Sequence, residues 1–155
     1  MSTFRSVALD DIPAPDFCDM VAIPLPPGAT LDPTRWAEEI FSPRNGPFWV
    51  KAAFGIRQAI APLIGVPRAE ENVLSIVRVE GNEALIAVDD KHLDFRAGVA
   101  VDEVAQLVRV TTTVRLRGRR GRLYFAPVSV GHGPVVLAMM KSAAARLAEE
   151  MLAID

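Results

Sequence analysis

The sequence predicts an α+β fold: an antiparallel, curved sheet of about six strands around one long C-terminal helix, with two short helices after the first strand. Three observations predict it. Between residues 74 and 130 apolar residues recur with a period near two, in runs short enough to be joined as hairpins. From Val136 the period lengthens to that of a helix, and its single apolar stripe suits packing across one sheet face. Ahead of the hairpins, Asp32-Pro33 and Asn45-Gly46-Pro47 each combine a capping side chain with proline at a first helical position.

Residues 1–15 read as an irregular N-terminal arm, because Pro13 and Pro15 interrupt regular structure, and residues 16–155 as a single domain. Phe17 to Ile23 is a first strand, stopped by Pro24, Pro26, Pro27 and Gly28. The first helix carries Trp36, Ile40 and Phe41 and ends near Pro43. The second shows Trp49, Ala53, Ile56, Ile60 and Ile64 at helical spacing and stops at Gly65 and Pro67. Residues 74–79 and 84–88 are strands joined by Glu80-Gly81-Asn82-Glu83, and the turn Asp89-Asp90-Lys91-His92 leads into another over 93–101. In the next strand Val108, Val110, Thr112, Val114 and Leu116 alternate with Arg109, Thr111, Thr113, Arg115 and Arg117. Gly118-Arg119-Arg120-Gly121 is expected to close a hairpin onto a sixth strand, residues 122–130. Gly131-His132-Gly133-Pro134 then opens the last helix, striped by Val136, Met140, Ala143, Leu147, Met151 and Ile154. A sheet wrapped around such a helix is the helix-grip arrangement. Strand 84–88 is apolar on both faces, so its outer face can meet a partner subunit, which makes a homodimer one expectation.

Composition narrows the classes. At 155 residues the chain can bury roughly 70% of its unfolded surface and needs no disulfide or metal to fold. Apolar residues make up 50% and charged residues 23%, the balance of a globular protein. A net charge of −2 excludes a whole-chain nucleic-acid footprint, and nucleic acid is not an expected partner. Cys18 stands alone, so neither an internal disulfide nor a thiolate metal cluster can form, and it reads as a small core or strand residue. His92 and His132 lack metal-ligand spacing, and neither a metal nor a cofactor is expected. No apolar run is read as approaching the roughly 18 residues of a membrane span, and Met1 to Pro15 lacks a signal-peptide core. The expected setting is cytoplasmic, without a membrane partner.

Several blocks carry a family resemblance. Pro47-Phe48-Trp49-Val50 with Phe54-Gly55-Ile56-Arg57, then Asp89-Asp90-Lys91-His92-Leu93-Asp94-Phe95-Arg96, resemble the uncharacterised family called domain of unknown function 2867. Thr111-Thr112-Thr113-Val114 and Gly121-Arg122-Leu123-Tyr124-Phe125 with His132 extend the likeness over residues 16–145. That family is similar to the START and polyketide-cyclase-like (SRPBCC) proteins, so the resemblance implies a helix-grip fold and a cavity, and no particular reaction. This chain departs from the family pattern around His132, where Val130, Gly131 and Gly133 replace a proline, an aromatic and a basic residue.

Adjacent Asp89 and Asp90 point to opposite sides of a strand, so at most one faces a cavity. The functional reading makes one of them a polar handle with His92. The plainer and preferred reading is a carboxylate capping its own turn. Asp94 and Arg96 are expected to ion-pair with each other or with Arg109, in a structural role. His132, placed at a helix N-terminus, is a candidate anion site or, more plainly, a corner cap. Arg115, Arg117, Arg119, Arg120 and Arg122 read as a solvated hairpin face, with an acidic partner as the alternative. The leading expectation is a binder of a small, largely apolar molecule held between sheet and last helix. Its walls would be Phe95, Val110, Thr112, Phe125, Met140 and Leu147, and its handle Asp90, His92 or His132. An enzyme of cyclase or isomerase type using the same groups for proton transfer is the alternative, with no catalytic residue assigned. A ligand-free interaction module is the third.

Overall fold

Five of the expected strands form, and each pairs antiparallel with its neighbours. A computed structural model describes residues 4–42 and 74–154, and the expected second helix over 49–64 lies outside the described residues. In order come α1 (Val7–Asp11), β1 (Phe17–Pro24), α2 (Pro33–Ile40), β2 (Ile76–Glu80), β3 (Glu83–Asp89), β4 (Leu93–Asp102), β5 (Leu107–Leu116) and α3 (Gly118–Leu152). The sheet order is β1-β5-β4-β3-β2, so the first strand joins the last, with Phe17 opposite Val114 and Asp19 opposite Thr112.

Local chemistry places the elements. The Asp32 carboxylate accepts the Thr34 amide at 2.9 Å and Pro33 occupies the first turn of α2, as the sequence predicts. Gly81 turns β2 into β3 at φ 57°, a left-handed conformation open to glycine. The inner sheet face presents Ile23, Ala84, Ile86, Ala97, Val99, Val108 and Val110 to α2 and α3. Trp36, Ala37 and Ile40 come from α2, and Val136, Met140, Ala143 and Leu147 from α3. Trp36 is fully buried, with its indole N–H donating to Thr30 O at 2.8 Å. Each large apolar side chain enclosed here contributes roughly 1.5–3 kcal/mol.

Three expectations are corrected. The arm is not irregular throughout: Ser6 caps the five-residue helix α1, which lies across the outer sheet face. Val7 and Ala8 cover Leu85, so the outer apolar face of β3 meets its own chain. The sheet has five strands, not six, because residues 122–130 belong to α3. Gly121 and Phe125 are buried at i and i+4 in register with Val136 and Met140, whereas Pro127 could not have supplied a ladder N–H. The expected hairpin at Gly118 is instead a turn at φ 72° into the helix. Finally, α3 contains an uninterrupted stretch long and apolar enough, by length and composition alone, to cross a membrane.

Candidate functional site

Where β1 meets α3, residues 113 positions apart come together. His132 Nδ1 lies 2.8 Å from Asp19 Oδ2. Asp19 points inward because it alternates with Cys18 and Met20, both exposed on the outer face. His132 faces it because it shares the sheet-facing side of α3 with Phe125 and Val136, seven residues before it and four after. The Phe17 ring stands edge-on to both partners, with centroids 5.1 Å from Phe125 and 5.5 Å from His132. Both members of the pair are mostly buried, with side chains 14% exposed for His132 and 23% for Asp19.

The pair lies on an open seam. Phe17, Asp19 and Val21 on edge strand β1 are half-buried, while Val114, Thr112 and Val110 opposite them on β5 are fully enclosed. Asp19 Oδ1 is buried and has no hydrogen-bond partner among the described residues, so a donor group placed there would be bound at a gain. A carboxylate only accepts, so Nδ1 donates to Asp19; in a neutral imidazole oriented this way Nε2 is the acceptor, the geometry a general base requires.

The other expected site residues distribute as follows. Phe125 and His132 meet around Phe17, and Thr112 is the ladder neighbour of Asp19. Phe95 lies opposite Val114 and packs against the main core. Met140, two turns beyond His132, is fully enclosed by that core. Asp90 is spent on its own turn: its carboxylate accepts the Lys91 amide at 2.5 Å, and its amide donates to Leu93 O at 2.8 Å. The His92 carbonyl receives the Arg117 amide at 2.8 Å where α3 begins. His132 is not at a helix start but about four turns inside α3, so the expected ring of free amides for an anion is absent there. Asp19 escaped sequence reasoning, and its only signal was an acidic residue on the apolar face of a strand.

The expected Asp94–Arg96 pairing is replaced by two others. Asp94 holds Arg117 at 2.8 Å, while Arg96 bridges Asp89 at 2.7 Å and Asp11 at 2.9 Å. Arg78 hydrogen-bonded to Asp11, and Arg96 hydrogen-bonded to Asp89, hold both carboxyls below the usual aspartate range. Partial burial, then the neighbouring Asp19 carboxylate, push the Cys18 thiol up, which disfavours a reactive thiolate. Among the described residues no cluster of His, Cys, Asp and Glu could hold a metal.

Two surface depressions lie elsewhere, one of about 280 Å³ between Arg5 and Glu83 and one of about 230 Å³ between Arg35 and Met151. Neither includes the aspartate–histidine pair. Each holds an ion pair, Arg5–Asp10 in the first and Arg35–Glu150 in the second, so their charges are already matched, and the β1–α3 seam is the better candidate.

No curated protein and no solved structure matches the chain. A family model matches residues 12–139, a span that includes Asp19, His132 and the whole sheet. By that match the chain belongs to the family described as protein of unknown function DUF2867.

Proposed function

We propose that the protein binds a small, largely apolar molecule bearing one polar group, seated at the seam between β1 and α3. The observation that carries this reading is the Asp19–His132 pair, with Asp19 Oδ1 unpartnered among the described residues, framed by Phe17 and Phe125. The aromatic rings supply apolar contact, and the pair supplies one acceptor on each member for a hydroxyl or amide. A helix-grip, START-like architecture is part of the proposal. Its support is the pairing of first strand with last and the long C-terminal helix packed on the same sheet.

Native mass spectrometry of the purified protein tests the reading by looking for a co-purified small molecule. Asp19→Asn and His132→Ala should each weaken its retention roughly 10- to 100-fold, the worth of a hydrogen bond to a charged group. If nothing co-purifies and both variants change only the unfolding midpoint, the pair merely pins α3 to the edge strand and the proposal fails.

The same pair favours a second reading, an enzyme of cyclase or isomerase type with His132 as base and Asp19 orienting it. In that case His132→Gln leaves retention of the molecule within a few-fold yet removes its conversion.

A further inference from the structure

We propose that α3 docks the protein on an anionic lipid surface through its solvent-facing side. Leu123, Ala126, Pro127, Val130 and Pro134 are all exposed, Leu123 at 77% and Val130 at 82%. They follow one another at i, i+3, i+4, i+7 and i+11, which is one face of a helix. The opposite face, with Phe125, Val136 and Met140, is the one packed on the sheet. An apolar stripe of this length is therefore not explained by the core of the described chain.

Cations bracket the stripe. Arg119 and Arg120 lie four and three residues before Leu123, and Lys141 lies 18 residues, five whole turns, after it. All three are exposed on the same side of α3 and form no ion pair with a described residue. From Arg120 to Lys141 the helix extends about 30 Å. Between Glu103 and Glu149 the chain has no acidic residue and eight lysines and arginines, although its net charge is −2. Apolar side chains at acyl depth between cations at headgroup depth describe a helix lying in the plane of a bilayer.

Other occupants fit less well. A second copy seated across a two-fold axis on this stripe would bring like charges from both chains together. A nucleic-acid backbone would satisfy the arginines but leave the apolar stripe wet. A membrane-spanning arrangement is opposed by the sheet on the other face of α3. It is opposed also by Pro127 and Pro134, which release the Leu123 and Val130 carbonyls to a polar environment. Expecting no membrane partner rested on reading no apolar run near 18 residues, and α3 holds an apolar stretch of that length.

Vesicle flotation with the full chain is the test, comparing phosphatidylcholine alone with phosphatidylcholine containing phosphatidylserine. Binding is expected only to the second and should fall as salt rises. Arg119→Ala with Arg120→Ala should lower the partition coefficient roughly 25-fold, about fivefold for each arginine. Leu123→Ser with Val130→Ser should reduce it further at unchanged charge. Where the serine pair disturbs the fold, the alanine pair gives the same answer from exposed charges alone. Absence of binding at low salt, or equal binding by every variant, overturns the proposal. So does duplex DNA binding in place of vesicles, or a dimer that the serine pair converts to monomer.

Discussion

Gly98 and Gly121 show how closely single atoms set this fold. A Cβ on Gly98 would overlap Glu83 Oε1, the buried carboxylate oxygen that accepts the Ser6 hydroxyl at 2.5 Å. The other oxygen of Glu83 accepts the Val7 amide at 3.0 Å, so displacing the group frees the start of α1. A Cβ on Gly121 would overlap the His92 backbone carbonyl, which cannot rotate away because it holds the Arg117 amide. Gly98→Ala and Gly121→Ala should each cost about 2–4 kcal/mol in urea denaturation, through overpacking and lost buried hydrogen bonds. Gly131 provides the contrast: it is exposed within α3, and an added Cβ meets nothing within 4 Å. Gly131→Ala should stabilise by about 0.5–1 kcal/mol. If all three substitutions behaved alike, the close approaches at positions 98 and 121 would have no energetic weight.

At the scale of elements, α1 shows what one turn of helix can do. Its Val7 and Ala8 bury Leu85, its Ala8 carbonyl accepts the Thr113 hydroxyl at 3.0 Å, and its Asp11 joins Arg78 and Arg96. Removing residues 1–12 should therefore cost more than about 3 kcal/mol, since Leu85 is uncovered and buried Glu83 loses Ser6. The homodimer anticipated through the outer face of strand 84–88 requires that same cover to move. The truncated chain should show concentration-dependent association by sedimentation velocity, and an unchanged midpoint and size would refute this role of α1. The sequence showed where β1 and the four hairpin strands lie because short apolar runs bounded by turn residues mark them, even in β2, where most side chains are exposed. It concealed α1, since five residues are too short for a helical period and Pro13 and Pro15 follow it. It concealed the first half of α3 because Pro127 and four nearby glycines read as breaks, although Gly121, Phe125, His132 and Val136 already kept helical register. Half of the candidate site was legible for a related reason. His132 drew attention by being one of two histidines, but its partner Asp19 lies on a distant edge strand, and pairing across 113 residues leaves no local pattern.

Across the whole molecule, charge is arranged so that one acidic–basic network fastens the outer sheet face. Asp11 of α1 binds Arg78 of β2 and Arg96 of β4, and Arg96 also binds Asp89 of β3. Four elements distant in sequence are thereby joined, and the two aspartates respond in the same direction to pH. Both carboxyls are held below the ordinary aspartate value, by hydrogen bonds from Arg78 and Arg96 respectively. The unfolded chain consequently takes up protons on these groups before the folded chain does. Their stabilising contribution is complete above the unfolded value, about pH 4, and is lost as pH falls through the depressed folded values. Urea midpoints should stay level from neutral pH down to about 5 in respect of these groups, then decline steeply below about 4. Arg96→Gln removes the partner of Asp89 and one of two partners of Asp11, so it should lower the midpoint at neutral pH and flatten the acid decline. Raising salt at neutral pH should reproduce part of the same loss, since Asp89 is exposed enough to be screened. An Arg96→Gln protein with the wild-type acid slope would mean that the network only decorates a face held by α1 packing.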